Sequence, residues 1–179
     1  MRTLIWLLTL SVLAPVAGEV NMADIVGRRL PELQDRALDG SVVKLPDSAG
    51  GFVTLVGFGF RRESEGPLET WMKPFKGEFE DPQRFRHYEV PMMGRGLVRL
   101  ARGMINRGMK QGTPGTEHRF VVPFYGDIKS YARELGMDTK QEHVFVCLLD
   151  RKGTVRWQGE GAASDSALAD LLETARGLE

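Results

Sequence analysis

The sequence has almost no thiol: one cysteine, Cys147, in 179 residues. An intrachain disulfide and a Cys-X-X-Cys redox pair are therefore excluded, whatever the redox state of the compartment. That thiol lies inside the apolar run Val144–Leu149, and it reads as a small buried hydrophobe, with an intermolecular disulfide as the alternative. Histidine is scarce too. His87, His118 and His143 are far apart and lack ligand spacing with Cys or carboxylates, so no metal site is legible. No cofactor motif is present: Gly57 and Gly59 sit within a strand pattern and are not followed by the Lys-Ser/Thr ending of a phosphate loop. An excess of charge is missing as well. Lys+Arg and Asp+Glu both total 24, which argues against a nucleic-acid protein built on a global positive field. After the N-terminal segment, no run is long and apolar enough to span a bilayer, and there is no internal repeat.

What is present is an ordinary globular composition, 42% hydrophobic and 27% charged, enough for one core and inconsistent with wholesale disorder. Residues 1–18 form a secretory signal pattern, with Arg2, the apolar run Leu4–Leu13 and small residues at Ala17-Gly18. An uncleaved anchor over residues 4–17 is the alternative. Both place residues 24–179 outside the cytoplasm, in the periplasm or an equivalent space.

The chain is organised around Phe52–Phe60, a short apolar run suited to a buried strand. It runs through Arg61-Arg62-Glu63-Ser64-Glu65-Gly66 into a helix predicted over Pro67–Phe79, with Leu68, Trp71, Met72, Phe75 and Phe79 as its apolar stripe. Pro67 suits a helix start, whereas Pro74 is expected to kink or divide the helix. Upstream, Asp39-Gly40 between alternating stretches signals a β-hairpin. Downstream come a strand at Phe85–Met92, a helical insertion at 92–117, an apolar run at Arg119–Phe124 and a helix at Gly126–Met137. Strands at Val144–Leu149 and Thr154–Trp157 follow, then a closing helix capped by Ser164 or Ser166. This order predicts a mixed sheet, parallel in the middle with an antiparallel edge, and helices on both faces.

The segments GRRLPELQDRALDGSVVKLPDSAGGFVTLVGFGF and HVFVCLLDRKGTVRWQGEGAASDSALADLL carry a resemblance to the thioredoxin-like superfamily, covering most of Gly27–Leu178. The Leu149-Asp150 turn, Val155-Arg156-Trp157, Gly159–Ala162, the Phe60-Arg61-Arg62 turn and Trp71–Phe75 together resemble the mitochondrial ATP-synthase assembly factor family of this fold. More distantly, the chain is similar to redoxin and peroxiredoxin-type domains. The resemblance implies a three-layer α/β/α fold with an N-terminal hairpin and a basic helical insertion. It places the two active-site cysteines of a thioredoxin near Glu63 and Gly66, and its cis-proline near Val144. None of these positions has the required residue, so thiol exchange and thiol peroxidase chemistry lack their nucleophile.

Two stretches are candidate contact surfaces. Arg61, Arg62, Glu63 and Glu65 occupy the turn where a strand delivers a helix N-terminus, a place that suits anions. The second, Val90–Thr116, contains Arg95, Arg99, Arg102, Arg107 and Lys110 and no Asp or Glu. A helix drawn through it places Leu97, Leu100, Ala101, Met104, Ile105 and Gly108 on one side and Arg95, Arg99, Arg102, Asn106 and Lys110 on another. Such a helix either packs its stripe on the sheet or offers it to anionic lipid or an apolar helix. The expected function is a redox-inactive binding protein without catalytic residues, cofactor or metal. Its partner is expected to be a subunit of a membrane complex, with peripheral membrane contact and no nucleic acid. The alternatives are a redoxin-type enzyme acting through Cys147 and a small-anion-binding domain.

Overall fold

The computed structural model describes residues 25–136 and 144–178. The expected signal or anchor at 1–18 and the last residue of the helix expected over Gly126–Met137 lie outside the described residues. The chain forms β1 (Leu33–Arg36), β2 (Val42–Leu45), β3 (Val53–Gly59), α1 (Glu65–Glu78), β4 (Phe85–Pro91), α2 (Leu97–Leu100), α3 (Arg102–Gly112), α4 (Ile128–Glu134), β5 (Val144–Leu149), β6 (Val155–Glu160) and α5 (Asp165–Gly177).

β1 and β2 pair antiparallel as a separate hairpin. Gly40 takes the left-handed conformation that its turn requires, with φ at 98°. Asp39 closes the same turn, its Oδ1 accepting from Ser41 N at 2.9 Å and Ser41 Oγ at 2.6 Å. The main sheet runs in the order β4-β3-β5-β6. Only β3 and β4 pair in parallel; β5 runs antiparallel to both β3 and β6. The sheet is therefore mixed, as expected, but the expected parallel middle is not found. The central pair β3–β5 is antiparallel and the parallel pair β3–β4 lies at one side, because the crossover after β4 returns to the outer edge of β4 and not to the centre.

β3 and β5 are covered on both faces. Val56, Phe58, Phe145, Cys147 and Leu149 face one core with Leu33, Val43 and Leu45 of the hairpin and Tyr131, Ala132 and Leu135 around α4. Val53, Leu55, Val144, Val146 and Leu148 face the other, with Leu68, Trp71, Met72 and Phe75 of α1 and Leu171 and Ala175 of α5. The strict alternation along each strand produces this division, because successive side chains leave a strand on opposite faces. Trp71 and Trp157 belong to this second core. Trp71 Nε1 donates to Gly161 O at 2.8 Å and Trp157 Nε1 to Asp170 Oδ2 at 2.8 Å, so each buried indole N–H is satisfied.

α1 runs through Pro74 as one element of 14 residues. The expected division at Pro74 does not occur: the missing donor is a single bond, while Trp71, Met72 and Phe75 on either side are buried and hold the helix to the sheet. Pro67 falls in the first turn, where an unpaired N–H costs nothing extra.

The segment 92–117 is a crossover as well as an insertion. Residues 120–124 lie along the outer edge of β4, with Val122 N donating to Glu89 O at 2.8 Å and Phe124 N to Pro91 O at 2.8 Å. The bridges Glu89–Val121 and Met92–Phe124 are parallel. A parallel neighbour cannot be reached by a tight turn, so the chain must leave the end of β4 and travel back before it can pair.

Gly57 on β3 is where α1 comes closest. A Cβ at this position would lie 2.3 Å from Leu68 Cδ1 and 2.6 Å from Met72 Cε. Gly57→Ala is expected to cost about 1–3 kcal/mol in urea unfolding through overpacking. Combining it with Leu68→Ala should return part of that loss, so that the double variant is destabilised by less than the sum of the two single variants.

Candidate functional site

β3 and β4 are parallel neighbours with Gly59 opposite Pro91, so their C-terminal ends emerge side by side. Met92 N donates to Gly59 O at 2.7 Å and ties the two exits together. The turn at 60–65 and the start of the insertion therefore share one end of the sheet. The sequence alone, read element by element, does not bring them together.

In the turn, Arg61, Arg62, Glu63, Glu65 and Gly66 are exposed. The residue that shapes it is Ser64, which is buried. Ser64 Oγ accepts from Arg61 N at 3.3 Å, and Ser64 N donates to Arg61 O at 3.1 Å. These bonds fold Arg62–Ser64 into a single tight helical turn before α1. Glu63 and Gly66, near which the resemblance implies the thioredoxin cysteines, thus lie on the surface of an intact strand–turn–helix unit that carries no thiol. Cys147 lies elsewhere, in the middle of β5 opposite Val56, completely buried. Burial pushes its thiol far above the ordinary range, which keeps it protonated and unreactive.

The helical segment departs from the continuous wheel drawn through the sequence. α2 ends at Leu100 and α3 starts at Arg102, and the break at Ala101 resets the face that each residue presents. Leu100, Met104 and Arg107 point to solvent, as does Gly108, while Ala101 and Ile105 are half-buried. Arg102 and Asn106, expected on the basic side of the helix, turn towards the body of the protein. Arg102 forms an ion pair with Asp35 of β1, and its guanidinium lies 4.7 Å from the centre of the Tyr125 ring. Asp35 Oδ2 also accepts from Tyr125 N at 2.9 Å, and Tyr125 Oη donates to Asn106 Oδ1 at 2.7 Å. α3 contributes no fully buried residue, so this polar clasp fixes how it sits. Sequence reading missed Asp35 and Tyr125 because their partners are 67 and 19 residues away. Arg95, the remaining cation near the start of the segment, lies 3.8 Å from Asp127, with both side chains largely exposed. Arg99 is in α2.

A second polar group lies between α1, β4 and the end of the crossover, also without a signal in the sequence. His87 Nε2 is 2.8 Å from Glu117 Oε2, and Lys76 Nζ is 3.2 Å from the same carboxylate and 3.9 Å from Glu89. The His87 ring packs against Phe120 at 4.5 Å between centres. Burial holds the His87 pKa below its ordinary value, against the opposing pull of Glu117. Glu89 is raised, first by burial and then by the charges of Glu117, Glu65 and Glu69, with Lys76 working against them. Burial raises Glu117, but the His87 hydrogen bond and the nearby His87 and Lys76 charges outweigh it, so its pKa is lowered overall. The Asp150 turn, part of the family-like motif, is structural. Asp150 accepts from Lys152 N, Thr154 N and Arg156 Nε at 2.8–3.0 Å and so fixes the β5–β6 connection.

No group of His, Cys, Asp and Glu among the described residues is arranged to hold a metal ion. No described helix is long and apolar enough to cross a membrane.

No protein-family model matches the chain, and no curated protein is significantly similar to it. Solved structures do share its fold. A protein provisionally assigned as thiol:disulfide interchange protein DsbE from Chlorobium tepidum is similar over 86% of this chain and 96% of its own, with TM-score 0.58 and 20% identity. The thioredoxin domain of a thiol-disulfide oxidoreductase from Bacteroides vulgatus matches over 86% and 98%, with TM-score 0.58 and 19% identity. BsSco, a member of the Sco family of cytochrome c oxidase assembly proteins, matches over 86% and 96%, with TM-score 0.57 and 14% identity. The chain has an α/β thioredoxin-like fold, with a central mixed four-strand sheet, flanking helices and an N-terminal hairpin, and it has a single cysteine and no Cys-X-X-Cys pair.

Asp35→Ala removes the acceptor of the Arg102 ion pair and leaves Tyr125 N without its partner. A loss of about 2–3 kcal/mol in urea unfolding is expected, with faster amide exchange confined mainly to 102–112. A wild-type exchange pattern in the variant would mean the clasp does not hold α3. For His87 the sign follows from its lowered pKa. As pH falls through 6.5, the unfolded chain takes up a proton that the folded side chain resists, so folding weakens. Glu89, raised above 4.5 in the folded state, acts oppositely at more acid pH. His87→Gln is expected to be less sensitive than wild type in unfolding midpoint between about pH 7 and 6; equal slopes would exclude His87 as the source.

Proposed function

We propose that this protein is a redox-inactive thioredoxin-like binding protein, an assembly factor or chaperone for a membrane protein complex. The observation that carries this reading is the combination found at one end of the sheet. The strand–turn–helix unit at 60–65 is intact but offers exposed Arg61, Arg62, Glu63 and Glu65 where the thioredoxin resemblance implies cysteines, and an apolar and cationic crossover stands beside it. A scaffold kept without a nucleophile serves recognition rather than group transfer. Cys147 cannot substitute, since its sulfur is buried in the core. The resemblance of the Asp150 turn, the Trp157 strand and the Phe60–Arg62 turn to the mitochondrial ATP-synthase assembly factors makes the membrane sector of an ATP synthase the first client to test. The N-terminal signal pattern supports an extracytoplasmic location, facing that sector rather than a cytoplasmic catalytic head. The Sco protein among the structural relatives is itself described as belonging to an assembly-protein family, a precedent for the fold in such work.

The test is affinity capture from detergent-solubilised membranes, with subunits identified by mass spectrometry. Intact protein is expected to capture membrane-sector subunits, and a variant with Arg62→Glu, Glu63→Arg and Arg107→Glu is expected to capture several-fold less. Cys147→Ser should capture as wild type does, and neither protein should reduce insulin disulfides. Failure of the intact chain to retain any subunit of a membrane complex, or a turnover that depends on Cys147, would overturn the proposal.

A further inference from the structure

We propose that the outward face of α2 and α3 seats on an anionic lipid surface, an inference that concerns the bilayer and does not require the protein client. Leu100 and Met104 are 83% and 74% exposed, the most exposed large apolar side chains among the described residues, and Val98 beside them is 36% exposed. Exposed leucine or methionine alone is ordinary. Here the two lie on the solvent-facing side of α2 and α3, and the inward side of α3 is held by the clasp. Arg102 with Asp35 and Asn106 with Tyr125 face the body, so α3 cannot turn its apolar residues inward without breaking both contacts.

The charge around these residues has one sign. Residues 90–116 contain no Asp or Glu, so the face lacks the alternating i, i+4 acid–base pairs of a helix made to be solvated. Arg107 is exposed and has no acidic partner among the described residues, and Lys110 is exposed beyond it. Acids on neighbouring elements offset this only in part. Asp35 is occupied with the inward Arg102, and Asp127 opposes Arg95 across 3.8 Å in an exposed pair that salt screens. Asp39, bonded within its own turn to Ser41, also faces Lys110, but it is exposed, so that attraction is screened and Arg107 is left without an acid among the described residues. Flexible apolar tips flanked by cations need no shaped complement. They match the boundary between acyl chains and anionic headgroups, where the tips enter the chain region and Arg and Lys stay with the phosphates.

The full-length chain supplies its own probe, because Cys147 is buried and leaves an introduced cysteine as the only thiol open to labelling. Met104→Cys and, as a second position, Leu100→Cys are labelled with an environment-sensitive fluorophore; Ser166→Cys on the exposed start of α5 is the control. Vesicles of phosphatidylcholine with about 30% phosphatidylglycerol are compared with phosphatidylcholine alone. The expected result is a blue shift and a severalfold intensity rise at 104 and 100 on anionic vesicles only. It should be absent at 166, reduced by about 0.5 M salt, and lost when Arg107→Glu and Lys110→Glu are added. Equal response on neutral vesicles, equal response at 166, or no response on either vesicle overturns the proposal. A response seen only on native membrane vesicles, and abolished by protease treatment of those vesicles, would assign this face to a protein and leave the client reading standing. Lipid binding without capture of any complex subunit would do the reverse.

Discussion

Burial of β3 and β5 on both faces is the constraint from which the rest of this architecture follows. Neither strand can tolerate solvent on one side, because Val56, Phe58, Phe145 and Cys147 face one way and Val53, Leu55, Val146 and Leu148 the other. Two layers must therefore cover the sheet. α1 and α5 supply one; the hairpin and α4 supply the other. The approach of α1 is set by the bare backbone at Gly57, where even one carbon would collide with Leu68. Once that layer is seated, the turn ahead of α1 and the end of β4 are fixed relative to each other by the sheet register. The candidate contact surface is thus set by the packing of residues that would not themselves touch a partner, Gly57 just before the turn and Leu68 just after it.

Much of the fold was legible because it depends on local pattern. The apolar runs over Phe52–Phe60 and Val144–Leu149, the Asp39-Gly40 turn and the Leu68–Phe75 stripe each follow from the geometry of one element. The misreadings occurred where one element depends on another. Pro74 was expected to divide α1, but its neighbours are held by tertiary contacts that outweigh one lost hydrogen bond. The wheel through Leu97–Lys110 assumed an unbroken helix, and the break at Ala101 invalidated it. Arg102 reads as a contact cation in the sequence, whereas in the fold it pairs with Asp35 of the hairpin. No periodicity in either segment announces that pairing.

The same division applies to chemistry. The absence of a second thiol was plain in the sequence, and the structure adds that the remaining sulfur is inaccessible. The polar group of His87, Glu117, Lys76 and Glu89 was invisible beforehand because its members come from α1, β4 and the end of the crossover. It links the last part of the crossover to the sheet through partly buried charge. Asp35 links the middle of the crossover to the hairpin. Polar contacts thus position this segment, whereas apolar contacts position the layers.

That difference in glue gives the crossover an evolutionary latitude that the layers lack. Its two ends are pinned by backbone bonds, Met92 to Gly59 at one side and Val122 and Phe124 to β4 at the other, while α3 buries no residue of its own. Length, charge and helical content between those pins can drift without opening a cavity in either core. Residues 93–117, about one-seventh of the chain, can therefore be rewritten while the folding problem stays solved.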